Sequence, residues 1–280
     1  MLSKLPDSGL SASPRRTAAE YDTRVVSNDL VNAEYRLLVL DVPPEATRAV
    51  PGQFFHLLCP QHGQLQPFFR RPMSIFRIDP ENARLAFLYK VTGRGTATMA
   101  TLAPGDTFNI LGPLGIGFSV PPGGTPIVVL ARGVGLATMG PLVPWARGRG
   151  HPVTAILSAR APAFLMSVEQ MRADSAEVLT VTDAEGNSGV DAVERLLEEL
   201  HDQGRLGAIY ICGSNRLMLA AQRVAERFGL FGEVAMEQQM ACGLGMCFCC
   251  VRSFREGGDI VHRRVCCEGP VFPLQDALSW

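Results

Sequence analysis

The sequence predicts a small antiparallel β barrel, then an α/β domain with a parallel sheet, then a small cysteine-rich unit. Short β-rich runs broken by turn signals fill the first part of the 280 residues, strands alternate with helices in the second, and six of the eight cysteines lie between residues 242 and 267. A chain of this length exceeds one small core, which favours two domains with an appendage. The predicted divisions are a disordered tail at 1–20, the barrel at 21–122, the α/β domain at 123–232 and the cysteine-rich unit at 233–280.

The bulk composition excludes several classes of protein. Hydrophobic residues make up 47% of the chain and charged residues 19%, which is typical of a folded globular protein. The formal net charge of −1 removes the electrostatic basis for binding nucleic acid or an anionic membrane. The sequence lacks an apolar run of membrane-helix length, and its first 20 residues lack the apolar stretch of a secretory signal. The expected location is therefore cytoplasmic.

In the first domain, the predicted strands are separated by turn signals such as Pro51-Gly52 and Pro104-Gly105. Short strands that alternate with such turns are the pattern of an antiparallel barrel. The predicted strands are 35–40, 54–58, 84–91 and 107–111.

In the second domain, buried strands alternate with helical stretches, which predicts a parallel sheet with right-handed crossovers. Gly133-Val134-Gly135 follows the first strand, and a helical stretch then runs through Trp145. A helix start after such a turn favours a pyrophosphate, although Gly-x-Gly is also common as a plain tight βα turn. The predicted strands are 126–131, 153–158, 177–182 and 208–212, and the longer helices are 190–201 and 215–228.

The cysteine spacing is the most specific pattern in the chain. Cys242, Cys247 and Cys250 are separated by four and two residues, and Cys266 follows after fifteen more. Four thiolates with this x4 and x2 spacing are typical of a plant-type 2Fe-2S cluster. Structural zinc is the alternative, but zinc ligands usually come as two separate Cys-x2–4-Cys pairs.

Two further cysteines, Cys249 and Cys267, are each adjacent to one of these four. In an extended segment, successive side chains point to opposite sides, so two adjacent cysteines cannot both face one cluster. We therefore expect Cys249 and Cys267 to be bystanders.

Two stretches of the barrel domain carry groups that suit a flavin nucleotide. The run Arg71-Pro72-Met73-Ser74 places a cation and a hydroxyl near a strand end, and Gly95 and Thr96 offer backbone N–H groups and a hydroxyl to a pyrophosphate. Each stretch alone has an ordinary alternative, a solvated arginine in the first case and a turn in the second. Their combination, ahead of a βα domain, is specific.

These motifs resemble the ferredoxin–NADP reductase superfamily and, within it, the electron-transfer subunits of NAD-linked, heterotetrameric dihydroorotate dehydrogenases. The resemblance is most specific in the stretches 70–75, 93–96, 111–118, 236–247 and 264–272. It implies FAD on the barrel, and it implies that Cys266 is the fourth cluster ligand and Cys267 a variable neighbour. Glu237 is implied near the flavin ring, the alternative being a solvated carboxylate. The candidate FAD residues are thus Arg71, Pro72, Met73, Ser74, Lys90, Val91, Gly95, Thr96 and Glu237.

The resemblance also implies a nicotinamide nucleotide at the carboxyl ends of the parallel strands. The family has three successive glycines followed by one more, whereas this chain has Ala131-Arg132 before Gly133-Val134-Gly135, and Ser214 stands where the family has proline. Arg160 suits either a 2′-phosphate or solvent, so NADH and NADPH both remain open. The candidate nicotinamide residues are Gly133, Gly135, Cys212 and Gly213.

The resulting hypothesis is an electron-transfer subunit that links NAD(P)H, FAD and a 2Fe-2S cluster to a flavin-containing catalytic subunit. The leading partner is the dihydroorotate dehydrogenase of pyrimidine biosynthesis. One alternative partner is another multi-subunit oxidoreductase, such as a bifurcating transhydrogenase, a hydrogenase or a flavin-linked dehydrogenase. Two alternatives of other classes are a redox sensor without turnover and a zinc-stabilised interaction module. The chain is expected to supply no catalytic acid, base or nucleophile, because the flavin performs the hydride chemistry. The scattered histidines, His56, His62, His151, His201 and His262, are expected to be ordinary surface or core residues.

Overall fold

The structure is a computed structural model, and it describes residues 18–174 and 176–279. Most of the predicted tail, residues 1–17, lies outside the described residues, and the first strand begins at Ala19.

The first domain is a seven-stranded antiparallel sheet with one short helix. Its strand order is β4 (Arg71–Ser74), β3 (Phe54–Leu57), β7 (Thr107–Leu114), β1 (Ala19–Leu30), β2 (Tyr35–Asp41), β6 (Arg84–Lys90) and β5 (Arg77–Asp79). β4 at one end contacts β6 near the other, so the sheet curls into a half-barrel. The strands named from the sequence correspond to β2, β3, β6 and β7, and the run 71–74, expected near a strand end, forms β4, whereas β1 and β5 were not named. The short helix, α1, spans Arg94–Met99.

Leucine and aromatic side chains on the inner face of this sheet form its core. Leu38 and Leu40 on β2 pack with Phe55 on β3 and Phe87 on β6, and all four are fully buried. The alternation of buried and half-exposed residues along β2 and β7 follows from the two-residue period of a strand.

The second domain is a parallel sheet in the order β10 (Glu177–Thr182), β9 (Val153–Ala159), β8 (Ile127–Arg132), β11 (Ala208–Cys212) and β12 (Phe231–Ala235), with β15 (Val271–Pro273) added antiparallel to β12. The strand order reverses between β8 and β11, and ligands of doubly wound folds bind at that switch point. The predicted parallel arrangement is confirmed. The bounds of its helices are α2 Leu136–Met139, α3 Leu142–Arg147, α4 Val168–Ala173, α5 Val190–Asp202 and α6 Asn215–Phe228.

Helices cover both faces of the parallel sheet. Val128 and Leu130 of β8 pack in the same core cluster as residues of α5 and α6, whereas Ile127 and Val129 pack with residues of α2, α3 and α4. The helical stretch predicted through Trp145 is divided by Pro141, because proline cannot donate the backbone hydrogen bond that a continuous helix needs.

The cysteine-rich unit is more regular than the sequence predicts. Residues 236–250 lack helix and strand, but a hairpin follows, and its chain reverses at Gly257-Gly258, both with positive φ. The last strand, β15, returns to the edge of the parallel sheet, and β12 runs across the division predicted at residue 232. That division therefore stays a prediction. The bounds are β13 Val251–Glu256, β14 Asp259–Arg264, α7 Val265–Glu268 and β15 Val271–Pro273.

Among the described residues, the helices are too short or too polar to cross a membrane.

Candidate functional site

A cavity of about 760 Å³ lies where the half-barrel meets the α/β domain. The barrel contributes one wall, the turn after β8 and the end of β11 contribute the other, and the segment that follows β12 borders the cavity. The lining residues come from seven separate parts of the sequence. They are Phe54, Phe69, Arg70, Arg71, Pro72, Met73, Ser74, Leu88, Lys90, Thr92, Gly93, Thr96, Val134, Ala137, Thr138, Cys212, Ala235, Met236, Glu237, Gln238, Gln239, Met240 and Pro270.

On the barrel wall, the two stretches singled out in the sequence lie against each other. The Arg71 side chain packs on Gly95, where a Cβ atom would lie 2.7 Å from Arg71 Nε, so a larger residue there would displace the guanidinium. The Thr96 hydroxyl accepts hydrogen bonds from the backbone N–H groups of Thr92 (2.9 Å) and Gly93 (3.1 Å) and so fixes the turn. The sheet and this turn together hold a cation beside a glycine-rich loop.

On the opposite wall, polar groups of the α/β domain reach across to the barrel. Thr138 donates a hydrogen bond of 2.8 Å to the Ser74 hydroxyl, and the Cys212 thiol lies 3.6 Å from Thr138 Oγ1 and 3.8 Å from Glu237 Oε1. Burial raises the pKa of the Cys212 thiol well above its ordinary value, so Cys212 is a neutral thiol here. Val134, Ala137 and Thr138 had not been predicted as site residues, because they meet the cavity only through the packing of the two domains.

Glu237 borders this cavity, as the family resemblance implies. Its side chain is exposed toward the cavity, yet the surrounding protein desolvates the carboxylate and raises its pKa, while a hydrogen bond from Cys212 acts in the opposite direction. Its protonated form is therefore favoured over a higher pH range than for a solvated glutamate.

Three of the predicted flavin residues, Lys90, Val91 and Gly95, are less directly placed. Lys90 lines the cavity, but its ammonium group pairs with Glu34 at 2.8 Å, and Arg160 pairs with the same carboxylate. Val91 is 38% exposed and is not among the residues that line the cavity. Gly95 acts on the cavity through Arg71 rather than by lining it.

The glycines predicted for the nicotinamide nucleotide let two parallel strand ends approach each other closely. A Cβ at Gly135 would lie 2.4 Å from the carbonyl oxygen of Cys212, and one at Gly213 would lie 2.1 Å from the carbonyl oxygen of Arg132. Gly213 also has φ of +92°, which side chains rarely adopt. Gly133, Gly135 and Gly213 do not line the cavity, so their contact with a nucleotide stays a prediction.

Arg132, the bulky departure from the family pattern, belongs to an ion-pair cluster at the carboxyl ends of β8, β9 and β10. Its guanidinium donates to Ser158 Oγ at 2.8 Å and to Asp183 Oδ2 at 2.6 Å, and Arg216 donates to Asp183 Oδ1 at 2.9 Å. The hydrogen bond from Arg132, together with those from Ser188 and Arg216, holds the pKa of Asp183 well below its usual range. Two arginines share one carboxylate, so this cluster keeps an excess of positive charge at the carboxyl ends of the strands.

The first part of the cysteine-rich unit holds a thiol poised for ionisation. Leu244 donates its backbone N–H to Cys242 Sγ at 3.4 Å. Desolvation opposes ionisation of Cys242, but the N–H groups of Leu244, Cys247 and Met246 outweigh it and lower the pKa of the thiol to about 7. Gly243 and Gly245 have φ of +70° and +82°, so the turn that aims these N–H groups requires glycine.

The four predicted ligands form two pairs. Cys242 is in hydrogen-bonding contact with Cys247, and the backbone N–H of Cys266 donates to Cys250 Sγ at 3.4 Å. Among residues 18–174 and 176–279, metal-ligating side chains do not gather in a group of three or more about one point. Two pairs of thiols fit a 2Fe-2S cluster, in which each iron takes two protein ligands, better than a single zinc ion, which takes four at one point.

The neighbouring cysteines differ in their surroundings. Cys249 is exposed, with its sulfur 3.9 Å from the carbonyl oxygen of Gln239. Cys266 and Cys267 lie in α7, so the extended conformation assumed from the sequence is wrong, and their side chains diverge by about 100° rather than 180°. Cys267 packs beside Gly245, where a Cβ would lie 2.7 Å from its sulfur. The assignment of Cys266 as the fourth ligand stays a prediction.

Known proteins match the cysteine-rich unit in sequence and nearly the whole chain in fold. The family model for the iron-sulfur cluster binding domain of dihydroorotate dehydrogenase B matches residues 237–277. A solved structure of an NADH-dependent reduced ferredoxin-NADP oxidoreductase, described in a study of flavin-based electron bifurcation, superposes with a TM-score of 0.76 at 24% identity over 91% of this chain and 88% of that one. At that identity the similarity shows the shared fold alone.

Whole-chain relatives carry the family assignment. The protein from Desulforamulus reducens named dihydroorotate dehydrogenase B (NAD(+)), electron transfer subunit, is 34% identical over 90% of this chain and 96% of its own length. The protein of the same name from Streptococcus pneumoniae serotype 4 is 31% identical over 89% of this chain and 96% of its own length. The chain therefore belongs to the family of electron transfer subunits of NAD(+)-linked dihydroorotate dehydrogenase B.

Proposed function

We propose that this chain carries electrons between a nicotinamide nucleotide, FAD and a 2Fe-2S cluster on behalf of a dihydroorotate dehydrogenase catalytic subunit. The main support for the proposal is that one continuous segment of the chain runs from the cavity to the first predicted cluster ligand. Residues 235–240 border the cavity, and Cys242 follows two residues later. A flavin in the cavity and a cluster on the cysteines would therefore be close neighbours.

The cavity suits FAD in its charges and in its shape. Arg71 beside the turn at Gly93–Thr96 supplies positive charge and hydrogen-bond donors for a pyrophosphate, and Ser74 and Thr138 join the two walls by a hydrogen bond. When bound, FAD supplies the chemistry that links a two-electron hydride donor to single-electron transfer. The residues of the two walls would hold and orient the flavin.

The cysteine pairs suit the cluster because a cysteine binds iron as its thiolate. The backbone N–H groups directed at Cys242 stabilise that thiolate, and the buried pair Cys250 and Cys266 supplies two more sulfurs. We assign Cys242, Cys247, Cys250 and Cys266 as the four ligands.

The surface beside the cysteines suits a protein partner. Leu244, Met246 and Phe248 are 49%, 80% and 63% exposed around the exposed Cys247. Clustered exposed apolar side chains favour a protein interface. We infer that the catalytic subunit docks on this face, within a heterotetramer, and receives or supplies single electrons there. The four cysteines outside the ligand set, Cys59, Cys212, Cys249 and Cys267, form no disulfide in the described part of the chain, which favours the reducing cytoplasm as the location.

The proposal is tested by purifying the chain anaerobically, alone and co-expressed with the catalytic dihydroorotate dehydrogenase subunit of the same organism. We expect FAD and about two irons per chain, reduction of ferricyanide by NADH or NADPH with the chain alone, and NAD-linked dihydroorotate oxidation only with the complex. Stoichiometric zinc without iron would contradict the proposal, as would dihydroorotate oxidation by the single chain. Loss of nicotinamide turnover with flavin and iron intact would instead support a redox sensor.

A further inference from the structure

His56 is a buried polar side chain whose role the flavin and cluster assignments leave unexplained. It lies on β3, is 0% exposed, and neither of its ring nitrogens has a hydrogen-bond partner within the described part of the chain. A buried polar group without a hydrogen-bond partner destabilises the folded protein, so such groups are rare and each calls for an explanation.

The ring of His56 faces the cysteine loop rather than the cavity. A Cβ at Gly243 would lie 2.7 Å from His56 Nε2 and 2.8 Å from Cε1, so the absence of a side chain at Gly243 is what admits the imidazole. Gly243 directly follows Cys242, and His56 is not among the residues that line the cavity. The imidazole thus reaches from the barrel sheet to the turn that carries the first predicted ligand.

The protonation state of His56 is also set by its surroundings. Desolvation, and to a smaller extent the nearby Arg70 guanidinium, lower the pKa of His56 to about 4. The ring is therefore neutral near pH 7, with one N–H donor and one acceptor nitrogen. A neutral donor can be placed beside a negatively charged group without adding a buried charge.

We propose that the ring N–H of His56 donates a hydrogen bond to a sulfur of the 2Fe-2S cluster on the Cys242 side. The inference rests on the proposed function, because it requires a cluster on Cys242. His56 is then a positioning residue that fixes the cysteine loop against the barrel. It also stabilises the more negative, reduced cluster, since hydrogen bonds to the sulfurs help to set the reduction potential.

The test compares His56→Phe, which keeps the aromatic packing and removes the donor, with His56→Gln, which restores an N–H donor. The matched control is His62→Phe, because His62 is exposed on the same domain. Cluster potentials are measured by EPR-monitored redox titration of the FAD-loaded chain. We expect His56→Phe to shift the one-electron equilibrium toward the oxidised cluster by about tenfold, equivalent to 59 mV, and we expect His56→Gln to recover much of that shift.

An unchanged potential in His56→Phe, with iron and FAD at wild-type levels, would overturn the proposal and leave His56 as a packing residue. If His56→Phe loses iron while it keeps FAD, the comparison with His56→Gln still decides. Recovery of iron by the glutamine supports the hydrogen bond, and equal loss in both variants refutes it. A wild-type chain without a 2Fe-2S cluster would instead refute the proposed function, which is a separate outcome.

Discussion

The cavity and the cysteine loop are built in opposite ways. The cavity is assembled from seven stretches of the sequence, and its two walls are joined by the hydrogen bond between Ser74 at the end of β4 and Thr138 in α2. The cysteine loop places its first three predicted ligands within nine consecutive residues, 242–250, that lack regular structure and depend on two glycines with positive φ. A compact loop concentrates its function in a few atoms, whereas the assembled cavity spreads it over many contacts. Single substitutions should therefore abolish cluster binding by the cysteine loop but only weaken FAD binding in the cavity.

The largest effect is expected at the cysteines. Cys250→Ser and Cys266→Ser should remove nearly all of the visible and EPR signals of the cluster, because each leaves an iron without one of its ligands. Cys249→Ser and Cys267→Ser are the matched neighbours and should keep those signals. FAD content should be unchanged in all four variants, as measured by absorbance after cofactor extraction.

Rescue by an adjacent thiol is a specific risk in this prediction. Because Cys266 and Cys267 are adjacent on one helical turn, a rearrangement of α7 that turns it by about 100° brings Cys267 to the place of Cys266. The double variant Cys266→Ser/Cys267→Ser removes that route. Loss of the cluster in Cys267→Ser combined with its retention in Cys266→Ser would show that the fourth ligand is Cys267.

A smaller effect is expected in the cavity. Arg71→Ala should weaken FAD binding about ten- to hundredfold, since a hydrogen bond to a charged group contributes about 1.5–3 kcal/mol. Ser74→Ala should weaken it by less, because a neutral hydrogen bond contributes about 0.5–1.5 kcal/mol. The dissociation constant is measured by titrating the flavin-free chain with FAD.

The control for the cavity is Arg84→Ala, which removes an exposed arginine paired with Asp41 on the same sheet. Iron content should stay at the wild-type level in all three variants. FAD affinity that is unchanged in both Arg71→Ala and Ser74→Ala would show that the flavin binds elsewhere.

The smallest effect is expected at the carboxyl ends of the parallel strands. Arg132→Ala should raise the KM for NADH about two- to fivefold without changing FAD content, because partly exposed ion pairs contribute about 0.2–1 kcal/mol. Arg149→Ala, an exposed arginine beyond α3, is the control. A lower KM in Arg132→Ala would instead show that this side chain obstructs the nucleotide.

The contrast between the local cysteine loop and the assembled cavity also explains which parts of the fold and of the site could be predicted from the sequence. The cysteine spacing is local, so it alone is enough to predict an iron-sulfur cluster and to propose Cys242, Cys247 and Cys250 as ligands. The longer helices α5 and α6 follow from their amphipathic periodicity. Val134 and Thr138 could not be identified as cavity residues, because nothing local distinguishes them from ordinary residues of a βα turn. The hairpin of β13 and β14 was missed although Gly257-Gly258 is a recognisable hairpin signal. The extended conformation expected for Cys266 and Cys267 was wrong, because a helix of only four residues leaves little local signal in the sequence.

The pairing of β15 with β12 limits how the chain can be truncated or divided into separate domains. The chain passes through the cysteine loop and then returns to complete the parallel sheet, where Gln222 of α6 also donates to the carbonyl oxygens of Leu274 and Ala277. A version shortened after β12 would leave an unpaired strand at the sheet border, which invites association with other chains. The cysteine-rich unit is therefore not an exchangeable module on a tether. Swapping it between relatives would require the recipient sheet and the incoming β15 to match.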